Sequence, residues 1–322
     1  MTYILVDSQN MFFRARHVAG RAASLDEKIG LAFHIMFNSV KKATNLFSGS
    51  HVIFCLEGRS WRKDVYEPYK KNRKVVLDKR SPNEQEEDQF WWEAYDDFLK
   101  FVNEQTNCSA IRSPNAEADD VIALWIEAHK DSKNIIVSTD SDFYQLINQN
   151  VSMYNGMTNQ IVMYDGVYDE KNQPVMDKKT KKPMSAPEPE WLLFEKCIRG
   201  DSSDNIFTAY PKVRKTKIRE AYDDRKNKGF TWNNIMMQRW TDHNGNEHRV
   251  GDVYERNKHL IDLTLQPDEI RAEVFEQIAN AQNFKSIDQV GIRFMKFCSK
   301  YSLTRLSENP TDHAKYLNAG YN

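Results

Sequence analysis

The sequence predicts an α/β protein with a mainly parallel central sheet flanked by helices, followed by a mostly helical C-terminal region. Three observations predict it. Short apolar runs of strand length alternate with segments of helical period across the first half of the chain. The runs are continuously apolar, as strands covered on both faces are. Three of the four end at a carboxylate.

The elements follow in order. Tyr3-Ile4-Leu5-Val6 reads as a strand that begins the fold and ends at Asp7; the carboxylate comes too early, and without a basic leader, for a signal peptide. A helical pattern runs through Leu31, Ile35, Val40 and Leu46. His51 to Leu56 is a second buried strand, ending at Glu57-Gly58. After a charged stretch, a helix covers Phe90 to Val102, and Ser109-Ala110-Ile111 is a short strand. Ser113-Pro114-Asn115 is expected to start a helix through Val121, Leu124 and Ile126, with Pro114 in the tolerated first turn. Asn134 to Ser138 is another strand, leading to Asp140. Val151 to Tyr168 looks like a hairpin region, and about 165–190, rich in Lys and Pro, reads as an exposed insertion. From Trp191 the pattern is helical: Trp191 to Ile198, Lys212 to Asp224, Val253 to Leu265, Glu269 to Ala279 and Val290 to Tyr301.

The 322 residues suffice for one large or two modest domains. Hydrophobic residues at 40% and charged residues at 28% describe a folded chain with a polar surface, and no run reaches membrane-span length. The net charge of −1 hides its distribution, because basic residues crowd into Arg59 to Arg80 and Lys212 to Lys228. Cys55, Cys108, Cys197 and Cys298 lie in apolar stretches without short spacings, so buried free thiols of a reducing compartment are expected rather than a zinc site.

Ligands of open α/β sheets bind at the carboxyl ends of the strands. Asp7, Glu57 and Asp140 are therefore expected on one edge. Glu117-Ala118-Asp119-Asp120 opens a helix, Asp140 and Asp142 follow a strand, and Asp201 and Asp204 lie in Gly200-Asp201-Ser202-Ser203-Asp204-Asn205. Each group alone has a plain explanation: a turn residue, a favourable first-turn charge, an Asx turn or a helix cap. Together, so many carboxylates would repel one another without cations, and hard oxygen donors with no His or Cys nearby select Mg²⁺ or Mn²⁺.

At these residues the chain resembles the flap-endonuclease and 5′-3′ exonuclease family, which includes the 5′ nuclease domain of bacterial DNA polymerase I. It is most similar in character to the phage branch, the T-even-phage ribonuclease H and phage flap endonucleases. The resemblance rests on Val6-Asp7-Ser8, on Trp61-Arg62 through Glu67-Pro68-Tyr69-Lys70-Lys71-Asn72-Arg73, on Glu117 to Asp120, on Ser138 to Asp142 and on Gly200 to Ile206. It covers about the first two-thirds of the chain and fades after Asn205. Two departures stand out. Glu57 replaces the family's Asp, and Phe207 to Lys217 lacks the glycines of the family's duplex-binding hairpin, which places its K⁺ site in question.

The resemblance implies a PIN-like 5′ nuclease fold with a helical arch and a divergent helix-three-turn-helix. It implies a metal-dependent nuclease core over 1–199, with a basic arch region at about 62–95, and a helical duplex-binding region over 200–322. Two Mg²⁺ or Mn²⁺ ions are implied. Asp7, Glu57, Glu117 and Asp119 would hold the first, and Asp140, Asp142 and Asp201 the second. Asp119 would lie near both, with Asp120 and Asp204 acting from further out. Lys70 and Arg73 would stabilise charge on the scissile phosphate. Arg62, Tyr69, Lys71, Lys212, Arg214, Lys215 and Lys217 would contact DNA, and Trp61, Tyr66 and Tyr69 would meet bases near the cut. Phe90-Trp91-Trp92 are expected to anchor a helix, since Tyr95, Phe98 and Phe101 continue their spacing.

The implied activity is structure-specific 5′-3′ exonuclease or flap-endonuclease cleavage, with removal of RNA primers in replication or repair. Implied partners are DNA and RNA–DNA hybrids with free 5′ ends or flaps, and single-stranded-DNA-binding or other replication proteins. The chain is expected to be a monomer in the cytoplasm of a bacterium or phage-infected host. A ribonuclease of the PIN type and a catalytically inactive structure-specific DNA-binding protein are the alternatives. The first generally lacks the basic arch and the Gly200-to-Asn205 motif; the second would have lost ligands that remain here.

Overall fold

A computed structural model describes residues 1–283 and 285–321. In chain order the elements are β1 (Thr2–Asp7), α1 (Ser8–Ala19), α2 (Leu25–Phe47), β2 (His51–Leu56), α3 (Arg62–Val65), α4 (Lys71–Leu77), α5 (Pro82–Gln105), β3 (Ser109–Arg112), α6 (Ala118–Ala128), β4 (Lys133–Val137), β5 (Val151–Asn155), β6 (Gln160–Met163) and β7 (Gly166–Asp169). There follow α7 (Pro189–Arg199), α8 (Lys215–Asp223), α9 (Phe230–Met236), β8 (Arg239–Thr241), β9 (Glu247–Arg249), α10 (Val250–Ile261), α11 (Asp268–Ala281), α12 (Val290–Lys300), α13 (Thr304–Ser307) and α14 (Pro310–Leu317).

The chain forms two compact units: 1–59 with 81–187 and 268–322, and 60–80 with 188–267. The first holds a seven-stranded sheet of order β3-β2-β1-β4-β5-β6-β7. The pairings from β3 to β5 are parallel, and β5-β6 and β6-β7 are antiparallel. The mainly parallel sheet read from the apolar runs is therefore present. β1 lies between β2 and β4, so the strand order reverses direction there, the position at which open α/β sheets place ligands. Register brings the strand ends level: Asp7 pairs with Cys55, Val6 with Val137 and Leu56 with Arg112.

Helices α2, α5, α12 and α14 supply Phe33, Phe37, Phe98, Phe101, Phe294, Phe297 and Leu317 to a core shared with Ile4, Val6 and Phe54 of the sheet. Ser81 and Glu84 close a capping box at the start of α5. Trp91 and Tyr95 belong to this core, so α5 beyond its first turns is a core helix and not part of a basic arch extending to 95. The anchoring expected of Trp91 is seen in its edge contact with Phe12, whereas Phe90 and Trp92 are exposed.

Several expectations change. The division at 199/200 is replaced, because the last 55 residues pack with the sheet: Val274, Ile278 and Phe294 are buried, and α11 packs on α6 and β3. α6 begins at Ala118, not at Ser113: the carbonyls of Pro114 and Ala116 accept the Arg59 and Gly58 N–H groups, so this stretch is a loop. The stretch 165–190 is largely exposed, yet β7 joins the sheet and Met176 pairs with Pro183. All four cysteines are buried and free, as expected.

In the second unit, α7, α8 and α10 enclose Trp191, Phe194, Ile198, Ile218, Tyr254 and Leu260, together with Tyr66 and Tyr69. No helix among the described residues is long and apolar enough to cross a membrane.

Candidate active site

In the first unit, the loops leaving β1, β2 and β4 and the start of α6 share the carboxyl edge of the sheet. Asp7, the last residue of β1, is only 4% exposed. Its carboxylate caps α1 by accepting the Asn10 N–H at 3.3 Å, and it accepts the Ser138 hydroxyl at 2.8 Å. Ser138 Oγ in turn accepts the Asp140 N–H at 3.1 Å. One hydroxyl thus couples the carboxylate at the end of β1 to the backbone after β4. Asn10 Oδ1 ties the same loops, accepting the Thr139 N–H and hydroxyl. Asp140 accepts the Asp142 N–H at 3.0 Å, an Asx turn that starts the 3₁₀ turn Ser141–Leu146.

Glu57 is set by a close approach of loops. The Gly58 N–H reaches Ala116 O at 2.9 Å, and a Cβ on Gly58 would sit 1.9 Å from Ser113 O, so only glycine fits. This places Glu57 Oε2 3.3 Å from the Ala118 N–H at the mouth of α6. Glu117 and Asp120 form a reciprocal capping box, in which Asp120 Oδ2 accepts the Glu117 N–H at 3.1 Å. The helix dipole favours these acids, and Asp119 follows in the first turn.

The electrostatic consequence appears on neighbouring groups. The Cys55 thiol is pushed well above its usual range by burial, and then by the charges of Asp7 and Asp119. Burial, followed by Asp7 and Glu57, raises Tyr95 in the same direction. The field at this edge is negative, and its donors are hard carboxylate oxygens, the chemistry that suits Mg²⁺ or Mn²⁺. Among the described residues no three His, Cys, Asp or Glu side chains form a closed ligand cage, so the fit rests on donor chemistry and field.

The second unit holds the other predicted residues. The loop 202–205 is fastened to 68–73. The Lys70 N–H donates to Asp204 O at 2.9 Å, Asn205 Nδ2 to Pro68 O at 2.7 Å, and Asn72 Nδ2 to Ser202 O at 3.1 Å. The Asp204 carboxylate accepts the Tyr69 hydroxyl at 3.0 Å and Arg73 Nη2 at 2.6 Å, with Lys70 Nζ 3.7 Å away. Asp201 pairs with Lys196 at 2.8 Å and accepts Ser203 Oγ at 2.6 Å. Burial alone would raise its pKa; these partners outweigh burial and lower it.

Several assignments are corrected. Trp61, Tyr66 and Tyr69 are at most 8% exposed, so their faces are not open to bases; the aromatic rings fill the core where surface stacking was expected. Arg62 is 2% exposed, donating from Nε to Leu260 O at 2.7 Å and lying over Trp61, which makes it a structural residue and not a phosphate contact. Lys71 pairs with Glu67, and Lys215 with Glu195 at 3.0 Å. Arg219 and Arg225 pair with Glu188 and Glu190, so acids of the 188–195 stretch neutralise much of the basic stretch. Lys212, Arg214 and Lys217 are exposed. Ser138, Asn10 and Asn72 carry bonding roles that sequence reading missed. Ser138 and Asn10 stand close to acidic residues and Asn72 in a basic stretch, but the partners that give them these roles lie 129 to 131 residues away.

Comparison with known proteins bears on the family and the fold. Residues 2–178 match the family model described as "5′-3′ exonuclease, N-terminal resolvase-like domain". A DNA polymerase I of Rhizobium leguminosarum is 26% identical over 214 residues, 63% of this chain and 18% of the polymerase. A 5′-3′ exonuclease of Mycoplasmopsis pulmonis is 28% identical over 63% of this chain and 60% of its own length. The match thus spans less than two-thirds of either relative. Among solved structures, the T5 D15 protein co-crystallised with metal ions superposes with a TM-score of 0.57 at 17% identity, covering 98% of this chain and all of that one. The T5 5′-exonuclease with bound divalent zinc gives 0.61 at 17% identity, over 87% of this chain and 99% of that one. These likenesses support the fold.

Proposed function

The chain belongs to the 5′-3′ exonuclease family, and from that premise we propose that it is a structure-specific 5′ nuclease. It hydrolyses phosphodiesters at or near 5′ ends of nicked, flapped or RNA–DNA substrates. The observation that supports the reading is the position of Asp7, Glu57 and Asp140 at or just beyond the carboxyl ends of β1, β2 and β4, where the strand order reverses, with Glu57 bonded to the Ala118 N–H in the first turn of the helix that carries Asp119.

Asp7, Glu57, Glu117 and Asp119 are the residues that would hold one divalent cation, and Asp140 and Asp142 those that would hold a second. Such ions activate a water and stabilise a leaving oxygen when bound. Asp120, 0% exposed and hydrogen-bonded to the Glu117 backbone, acts by fixing Glu117. Ser138 and Asn10 fix the angle between Asp7 and the Asp140 loop. Asp201 keeps its ligand role from the resemblance alone. Lys70 and Arg73 supply cationic charge to the substrate phosphate. Lys212, Arg214 and Lys217 are the exposed cations offered to duplex phosphates, and that binding weakens with salt.

A role in RNA-primer removal, a phage origin, a cytoplasmic location and a monomeric state complete the proposal; they rest on the family resemblance. The test is cleavage of 5′-labelled flap, nicked and RNA–DNA substrates with Mg²⁺. Short 5′ products that vanish with EDTA are expected. Cleavage that survives EDTA, or no cleavage of any of the three, ends the reading.

A further inference from the structure

The insertion after β7 carries charge that the proposed function leaves unused. The chain turns back at 169–173, where Asp169 Oδ1 accepts the Lys171 and Gln173 N–H groups at 2.8 Å. It then extends the sheet by two short antiparallel steps. Tyr168 pairs with Pro174 and Met176 with Pro183, and the N–H groups of Val175 and Met184 reach Val167 O at 2.9 Å and Val175 O at 2.8 Å. The tip of this hairpin is Asp177-Lys178-Lys179-Thr180-Lys181-Lys182. It is a built turn. Asp177 Oδ1 accepts the Lys179 N–H at 3.0 Å and the Thr180 N–H at 2.7 Å, an Asx turn. The Asp177 N–H donates to Lys182 O at 2.8 Å and the Lys181 N–H to Asp177 O at 2.9 Å, with Lys181 at φ 56°.

Lys178, Lys179, Lys181 and Lys182 are all exposed, and none forms an ion pair with a described residue. Elsewhere the bases are cancelled, since Lys71, Lys215, Arg219 and Arg225 pair with glutamates. The acids around the hairpin are engaged: Glu170 by Lys42 and the Tyr154 hydroxyl, and Asp165 by Tyr168. Four cations thus stand together against one carboxylate, which is tied to its own turn. Register fixes where this charge lies. Strand partners running from Ile4 through Ile135, Ser152, Met163 and Gly166 put Met176 level with Ile4, three residues short of Asp7. Beyond β1 come β4, β5, β6, β7 and the two added steps. At about 4.8 Å per strand, the tip lies about 25–30 Å from Asp7 across the sheet, and about 10–15 Å toward the opposite edge.

We propose that Lys178, Lys179, Lys181 and Lys182 form a remote anchor for the phosphate backbone of the substrate's duplex arm, about eight base pairs from the cut. A group this far from the acidic edge takes no part in bond cleavage. At about 3.4 Å of rise per base pair, its distance from Asp7 matches that length of duplex. Duplex DNA is stiff over about 150 base pairs, so a phosphate at a set distance from the cut arrives at a set place, where a rigid turn meets it. The lysines act as point charges and read no sequence. The inference rests on the nuclease reading for the position of the cut.

The test combines Lys178→Gln, Lys179→Gln, Lys181→Gln and Lys182→Gln in one variant. Anisotropy in EDTA follows its binding to 5′-flap DNA whose duplex arms are long, about 20 base pairs, or short, about 6. On long arms, affinity should fall about tenfold or more at 0.15 M salt. The salt slope should become shallower by about two to three, since each phosphate contact contributes about 0.9. On short arms, parent and variant should agree within about twofold, and so should single-turnover cleavage rates at saturating long-armed DNA. Asp177→Asn keeps the acceptor of the Asx turn and removes its charge, so it should bind long arms a few-fold tighter. Unchanged affinity and slope in the lysine variant would overturn the proposal. So would a loss indifferent to arm length, or one that follows flap length instead. Sheet edges also carry lysine to block pairing with other chains. A variant that self-associates at unchanged DNA affinity would give the four lysines that role alone, and equally overturn the anchor. Urea midpoints check that both variants fold. A parent chain that binds long-armed DNA but never cuts it sinks the nuclease reading alone, whereas a parent that cuts while the variant binds as it does sinks only the anchor.

Discussion

Ser138→Ala removes one oxygen and leaves every proposed metal ligand in place. The hydroxyl donates to Asp7 Oδ2 at 2.8 Å and accepts the Asp140 N–H at 3.1 Å, inside a site where Ser138 and Asp7 are each 4% exposed. A hydrogen bond to a charged partner contributes about 1.5–3 kcal/mol, and water cannot easily replace it here. Each 1.4 kcal/mol is about tenfold in an equilibrium, so the loss corresponds to roughly 10- to 150-fold. Asp7 keeps its bond from the Asn10 N–H but gains freedom to rotate away from the ligand position. The cost should therefore appear in cation affinity. Single-turnover cleavage against Mg²⁺ should show the half-saturating concentration rising at least about tenfold, with much of the maximal rate recovered at high Mg²⁺. An unchanged Mg²⁺ midpoint with a rate within about twofold of the parent would refute the claim that this hydroxyl orients Asp7.

Three further outcomes are expected. Asp140→Asn keeps the acceptor for the Asp142 N–H but loses the charge, so cleavage should be abolished while flap-DNA binding in EDTA is spared; undiminished cleavage would remove Asp140 from the site. Arg62→Ala deletes a buried bond to Leu260 O and the guanidinium over Trp61, and should lower stability by about 2–4 kcal/mol, read as a shifted urea midpoint of the unit that contains it. A surface phosphate contact would leave that midpoint unmoved. His51 is depressed to about 4 by burial, and less by Lys285, against its hydrogen bond to the Ala319 carbonyl, which raises it. Its folded value lies below its ordinary one, so the fold favours the neutral ring. That contribution is full above about pH 6.5 and is lost progressively as pH falls toward 4, by about 3 kcal/mol in all. His51→Gln should flatten the urea midpoint across this window, and an equally steep pH dependence in the variant would exclude His51 as its source.

Much of the first unit was legible because its signals are local. A strand buried on both faces must be continuously apolar, and parallel strands with helical crossovers put all their carboxyl ends on one edge. Asp7, Glu57 and Asp140 could thus be assigned to one edge from spacing alone, and the sheet places them there. The acids of Glu117 to Asp120 were readable as charges in the first turns of a helix, although the helix start was misplaced. Pro114 suggests a first turn, but the carbonyls that would begin that helix are taken by Gly58 and Arg59.

What the sequence could not determine depends on contacts between residues far apart in the chain. Trp61, Arg62, Tyr66 and Tyr69 sit in a basic, aromatic stretch that looks like a nucleic-acid surface, yet 188–267 supplies the helices that bury them. Composition specifies that a side chain has an apolar body; only packing decides whether that body meets solvent or core. The return of 268–322 to the sheet is of the same kind, since an amphipathic helix shows that it has a buried face but not which partner covers it. Asp204 shows the limit most directly. Its motif marks an acid, whereas its partners, Tyr69, Lys70 and Arg73, lie about 130 residues earlier, and a charge acts through what stands next to it in space.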